Sequence, residues 1–214
     1  IFDMDGVLAD TGPIHFKSWK KMAKEEGMEF TKDFFEETFG QQATTITQEL
    51  LGDEYTEDQI EKLAERKEKY YREMVKGKLE PLPGVIPLIQ NLDRKGVKLG
   101  LGSSGARANV DLLLKSLNIK DYFDVIITAE DVENGKPAPD VFLRAAQKVS
   151  IEPRNTVVIE DAPVGIEAAR NAGMKTIALT TTHDRSSLIE ADLIVENLKY
   201  VGIEDIIELV NLDI

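Results

Sequence analysis

Ile1-Phe2-Asp3-Met4-Asp5-Gly6-Val7-Leu8 opens the chain: two apolar residues, two carboxylates at i and i+2, then a glycine. If Ile1 and Phe2 end a buried strand, strand alternation puts Asp3 and Asp5 on the same side. Gly6 permits the sharp exit that such a strand end needs. Ligands of parallel α/β sheets bind just beyond the carboxyl ends of the strands. Two carboxylates held close repel each other, so the pair calls for a cation, or for a proton kept on one of them. A strand usually runs about five or six residues, so this one is expected to begin before Ile1.

Three blander readings compete. A surface Asp turn would not be flanked by Ile-Phe and Val-Leu. A calcium-binding EF-hand loop fails because Val7 and Ile14 stand where oxygen ligands are required. A signalling receiver domain also pairs acids at a strand end, but its phosphorylated Asp lies on a later strand.

Outward from this stretch, Thr11 and Pro13 suit a helix start, with Thr11 as the cap. Phe16, Trp19 and Ala23 then form an apolar stripe that closes at Gly27. The sequence to about Leu79 reads as all helical. Its strongest helix runs from Glu57 to about Met74, with Ile60, Leu63, Ala64, Tyr71 and Met74 on one face. Lys67 shares that face, either as a snorkelling stem or reaching into a site. Leu79-Glu80-Pro81-Leu82-Pro83-Gly84 is a linker by composition. Beyond it, helices and strands alternate: a helix from Val85 to Lys95, strands at Val97–Gly102, Asp124–Thr128, Thr156–Ile159, Lys175–Leu179 and Leu193–Val195, and helices at Val141–Val149 and Pro163–Asn171. A terminal helix is expected from Ile203 to Leu212. This pattern predicts an α/β fold, a Rossmann-like parallel sheet with helices on both faces. The all-helical cap of residues 13–79 interrupts a core domain made of 1–12 and 80–214.

The chain has 214 residues, enough for a core domain with one insertion. Its net charge of -13 argues against nucleic acid and anionic membranes as partners, and means that a phosphate substrate would need local positive charge. There is no cysteine, which excludes disulfides, thiolate catalysis and Cys-zinc sites and fits a cytoplasmic location. No signal peptide or membrane-length apolar run is visible, and nothing points to a protein partner.

Each predicted core strand ends in a polar residue useful to phosphate chemistry: Asp3 and Asp5, Ser103, Glu160 and Asp161, with Lys136 before the next helix. Alone, Ser103 or Asp161 would more often cap a helix, and Lys136 would be a solvated loop lysine. A parallel sheet brings all of them to one edge, and there they supply carboxylates for a divalent metal, a hydroxyl for a phosphate oxygen and a balancing cation.

Asp3-Met4-Asp5-Gly6-Val7-Leu8, Ser103, Gly135-Lys136-Pro137 and Glu160-Asp161 resemble the four motifs of the haloacid dehalogenase superfamily of phosphotransferases, over essentially the whole chain. His15-Phe16, Trp19 and Arg66-Lys67 are similar to the β-phosphoglucomutase-like branch, whose helical cap follows the first motif. The resemblance implies that Asp3 is the nucleophile and Asp5 the acid and base, keeping a proton near a like charge. It implies Mg²⁺ on the Asp3 carboxylate, the Asp5 backbone carbonyl and Asp161, with Glu160 ligating or orienting. Ser103 and Lys136 would hold the phosphoryl group. Thr11 as hinge, His15, Lys67, Ser104 and Arg107 are the expected cap and substrate residues.

The chain departs from the mutases of this branch in two places. Their cap arginine for a second phosphate is absent from Gly40-Gln41-Gln42-Ala43-Thr44, and their Ser-Lys pair reads Gly105-Ala106, followed by Arg107. The expected activity is therefore a Mg²⁺-dependent phosphatase acting on a small phosphorylated metabolite, a sugar phosphate above all. The alternative is a β-phosphoglucomutase, with Arg107 as substitute anchor. A non-catalytic binding module of the same fold is a third reading, disfavoured because a phosphate binder has no need of Asp5.

Overall fold

The computed structural model describes residues 1–52, 54–77 and 79–210. Four helices come first: α1 (Gly12–Glu25), α2 (Lys32–Thr38), α3 (Ala43–Leu51) and α4 (Glu57–Val75). Then follow α5 (Val85–Arg94), β1 (Gly100–Gly102), α6 (Arg107–Leu117), β2 (Val125–Ile127) and α7 (Asp140–Lys148). The chain continues through β3 (Val157–Glu160), α8 (Pro163–Asn171), β4 (Lys175–Leu179), β5 (Leu193–Val195) and α9 (Ile203–Val210).

β1 pairs with β2, and β3 with β4 and then β5, all in parallel. The opening residues join these two ladders. Phe2 forms parallel bridges to Leu101 of β1 and Ile159 of β3. Its N–H donates to Gly100 O at 2.8 Å, its carbonyl accepts from Gly102 N–H at 2.9 Å, and Asp3 N–H donates to Ile159 O at 2.9 Å. The order across the sheet is therefore β2, β1, the opening segment, β3, β4, β5. Asp3 leaves the centre of the sheet, where neighbouring strands run off to opposite sides; such a crevice is where open α/β sheets take ligands.

Helices cover both faces, which explains why the strands read as apolar runs. On one face Leu88, Ile89, Val110, Leu113 and Leu114 pack on Phe2, Leu101 and Ile159. On the other, Phe142, Ala145, Ala168 and Ala169 pack on Ile127 and Val158. The four early helices bury a cluster of their own, with Trp19, Met22, Phe30, Phe35, Phe39, Ile46 and Leu63. Helix α4 starts where Thr56 and Gln59 satisfy each other's backbone N–H groups in a capping box.

Some boundaries differ from the sequence reading. The strand expected from Val97 begins only at Gly100. Before it, the Asp124 side chain accepts from Leu99 N–H at 2.9 Å and from Lys98 at 2.6 Å, and only Asp124 N–H, donating to Leu99 O at 2.8 Å, continues the backbone pairing. Thr128 leaves the next strand because its hydroxyl and N–H both donate to Asp131, at 2.9 and 2.8 Å. The last helix is seen to Val210; its expected end at Leu212 lies outside the described residues. Among the described residues no helix is long and apolar enough to cross a membrane.

Candidate active site

Asp3, Ser103, Lys136, Glu160 and Asp161 meet at the carboxyl edge of the sheet, and all five are buried. The Lys136 ammonium donates to Asp3 Oδ1 at 2.5 Å and to Glu160 Oε1 at 2.6 Å. Glu160 Oε2 accepts from the N–H groups of Asp161 and Ala162, at 2.7 and 2.8 Å. Both Glu160 oxygens are thus engaged. Gly165 leaves the side chain room, since a Cβ there would lie 1.8 Å from Glu160 Oε1. Ser103 is no helix cap; its hydroxyl accepts from Gly105 N–H at 3.0 Å. Nor does Asp161 cap α8, whose first flanking residue is Ala162.

Asp3, Glu160 and Asp161 each offer an oxygen within 4.8 Å of the others. These three carboxyls share a single ammonium, that of Lys136. Asp161 Oδ2 is buried with no hydrogen-bond partner among the described residues. It rests against Gly6, whose φ is +74° and where a Cβ would sit 1.8 Å from that oxygen. Burial pushes Asp3 up to about 7, against the pull of Lys136 and helped by Glu160 and Asp5. Burial, with Glu160 and Asp3 beside it, holds Asp161 well above the ordinary range. Burial alone would lower Lys136, but Asp3 and Glu160 outweigh it and raise it. An orphaned buried oxygen, and three carboxylates that burial hinders from ionising together, fit a divalent, oxygen-seeking cation.

Asp5 belongs to a second network, shared with the helical insertion. Thr11 Oγ1 donates to Asp5 Oδ1 at 2.5 Å. Thr11 therefore flanks α1 without capping it through its side chain, contrary to expectation. His15 Nε2 lies 3.2 Å from the same oxygen, and His15 Nδ1 lies 2.8 Å from Lys67 Nζ. An ammonium only donates, so Nδ1 accepts and Nε2 carries the proton given to Asp5. The His15 ring stacks on Tyr71 at 3.9 Å. Lys67 is no snorkelling stem: it is 2% exposed, with its ammonium 2.8 Å from Glu68 Oε1. Asn109 of α6 donates to the other Glu68 oxygen and accepts from Arg72 at 3.0 Å. Burial disfavours the Asp5 charge, but His15, Thr11 and Lys67 win and hold its carboxyl below the usual range. Of the two, Asp3 is the carboxyl that burial raises, while Asp5, expected to keep a proton beside a like charge, is held low by its neighbours.

A narrow cleft of about 40 Å³ separates the sheet edge from the helical insertion. Asp3, Asp5, Ser103, Ser104, His15 and Lys67 all line it. Ser104 Oγ is buried without a hydrogen-bond partner among the described residues. Gln41 lines the cleft, while Gln42 packs against Gly135, where a Cβ would meet its Cδ at 2.8 Å. Arg107 is turned away, its guanidinium paired with Asp131 and 3.4 Å from Ile126 O. The sequence reading missed Glu68 and Asn109. Residues adjacent on a helix point about 100° apart, so no periodicity marks Glu68 as a partner of Lys67.

A buried carboxylate cluster at the centre of a parallel sheet, roofed by a helical insertion, defines a hydrolase class, and a family model for haloacid dehalogenase-like hydrolases matches residues 1–179; the chain belongs to that family. Within it, the chain falls in family IA, in the β-phosphoglucomutase-like branch. It is 36% identical over 177 residues to the fructose-1-phosphate phosphatase YqaB of Escherichia coli, covering 83% of this chain and 93% of that one. It is 34% identical over 212 residues to the β-phosphoglucomutase of Bacillus subtilis, covering 95% and 91%. A solved family IA hydrolase from Entamoeba histolytica superposes with a TM-score of 0.89 at 27% identity, over 99% of this chain and 98% of that one.

Proposed function

We propose that the protein is a Mg²⁺-dependent phosphatase that hydrolyses a small phosphorylated metabolite, a sugar phosphate, through an aspartyl-phosphate on Asp3. Mg²⁺ would be held by Asp3, Asp161 and the Asp5 backbone carbonyl, and would neutralise charge on the phosphoryl oxygens. Asp3 attacks phosphorus, the bond from phosphorus to the ester oxygen breaks, and Asp5 gives its proton to the departing alcohol. Water then attacks the aspartyl-phosphate, Asp5 takes a proton from it, and inorganic phosphate leaves with Asp3 restored. Thr11 and His15 hold Asp5 in place for both transfers. The ester's negative charge, arriving beside Asp5, opposes the depression of its pKa and favours the protonated acid. Lys136, Ser103 and Ser104 bind the transferring group. Residues 13–79 act as the cap that closes over it and excludes water.

One observation carries the choice of phosphatase over mutase. A mutase must hold its intermediate by a second phosphate, and among the described residues lining the cleft the only lysine or arginine is Lys67, already paired with Glu68. Gln41 cannot make the charged, two-pronged contact of an arginine, and Arg107 is paired with Asp131. The names of the relatives support a sugar-phosphate substrate without choosing between the two activities. A screen of phosphorylated sugars with Mg²⁺, reading phosphate release, tests the proposal. Release from sugar monophosphates is expected. Efficient conversion of β-glucose 1-phosphate to glucose 6-phosphate with negligible release would replace it by the mutase reading.

A further inference from the structure

The proposed reaction uses neither member of one buried ion pair in the cleft, Lys67 and Glu68. Glu68 is 7% exposed and lines the cleft beside Lys67. One of its oxygens is 2.8 Å from the Lys67 ammonium and the other accepts from Asn109. Burial opposes its charge, but the Lys67 ammonium and the Asn109 amide hold its carboxyl below the ordinary range, so it is an anion at neutral pH. A buried ion pair adds little stability over an apolar pair of the same size, so stability alone does not explain why a carboxylate stands here. Its electrostatic effect is plain: it cancels the only lysine among the described residues that line the cleft. The rest of the wall away from the sheet is uncharged, with Trp19, Phe39, Ile46 and Gln41.

We propose that Glu68 is a specificity-determining residue. By neutralising Lys67 it closes the cap side of the cleft to a second phosphate or carboxylate, and the substrate is a phosphate monoester of an uncharged, hydroxyl-bearing alcohol. The aromatic and amide wall suits such an alcohol, whose carbons lie on ring faces and whose hydroxyls meet Gln41 and Ser104. The proposal rests on the phosphatase reading, but its test does not need turnover.

The test measures binding of fructose 1-phosphate and fructose 1,6-bisphosphate, with Mg²⁺, to the Asp3→Asn protein and to Asp3→Asn with Glu68→Gln. With Glu68 present, the monophosphate is expected to bind at least tenfold tighter. Glu68→Gln should move the ratio toward the bisphosphate by about tenfold to a hundredfold, the worth of a charged hydrogen bond to phosphate. A ratio unchanged within threefold, or a bisphosphate preference already present with Glu68, overturns the proposal. Should Glu68→Gln fail to fold, Gln41→Lys adds a cation to the same cleft and must shift the ratio the same way; no shift is equally fatal. Phosphate release by the unmodified protein is scored separately. Its absence sinks the phosphatase reading and leaves the binding ratio to decide the role of Glu68.

Discussion

Replacing Gly165 by alanine is a change that helix propensity favours by about 1 kcal/mol, yet this structure should reject it. The new Cβ would stand 1.8 Å from Glu160 Oε1 and 2.0 Å from its Cδ. A flexible side chain could swing away, but Glu160 is 1% exposed and held on every side. Lys136 holds one oxygen at 2.6 Å, and the N–H groups of Asp161 and Ala162 hold the other at 2.7 and 2.8 Å. Displacing it strips Lys136 of one of its two carboxylates, and breaking a buried pair costs about 3–5 kcal/mol. Setting the propensity gain against this leaves a loss of about 2–4 kcal/mol. For a chain of this size each kcal/mol moves Tm by about 2–4 °C, so Tm should fall by about 4–16 °C. Circular-dichroism melting measures this directly, and phosphate release from the same samples should fall with it because Lys136 loses its position. A Tm equal to or above that of the unmodified protein would show that Glu160 relaxes freely, and the rigidity assigned to this cluster would be wrong.

Asp3→Asn should leave a folded protein and lower turnover by about a thousandfold or more, as loss of a covalent nucleophile does; activity within tenfold would place the nucleophile elsewhere. Millimolar Mg²⁺ should raise Tm, because it binds only the folded carboxylate cluster, and Asp161→Ala should abolish the rise; a Tm indifferent to Mg²⁺ refutes the metal assignment. With Mg²⁺ chelated, stability should fall as pH rises from about 4, where an unfolded aspartate titrates, to about 7, where Asp3 does. In that window the folded state binds the extra proton, so the slope is negative. Carboxyls held below the ordinary range, such as Asp5 and Glu68, lose their contribution only at lower pH. Asp3→Asn should flatten the slope between pH 4 and 7, and a slope that the substitution leaves unchanged would assign the titration to another group.

The alternation of apolar runs with helical periods was enough to read the fold class, because each strand and helix carries its burial pattern locally. Asp3, Ser103, Lys136, Glu160 and Asp161 could be gathered into one site from sequence because a parallel sheet sends every strand end to the same edge. The roles of Thr11, Lys67 and Arg107 were less legible. Each has a common local use, as cap, snorkelling stem or surface cation, and the sequence cannot show which distant partner competes for it. Thr11 turns from its helix to Asp5, Lys67 turns inward to His15 and Glu68, and Arg107 turns outward to Asp131. Protonation was further out of reach: the sequence shows two close carboxylates, and only burial and neighbours decide which is raised. By itself, then, the sequence determined the sheet, the helical insertion and which polar residues stand at the strand ends, since these follow from local periodicity and chain direction. The tertiary structure alone decided which charges in the cleft are already paired, because pairing depends on side chains that the fold brings together from far apart in the chain.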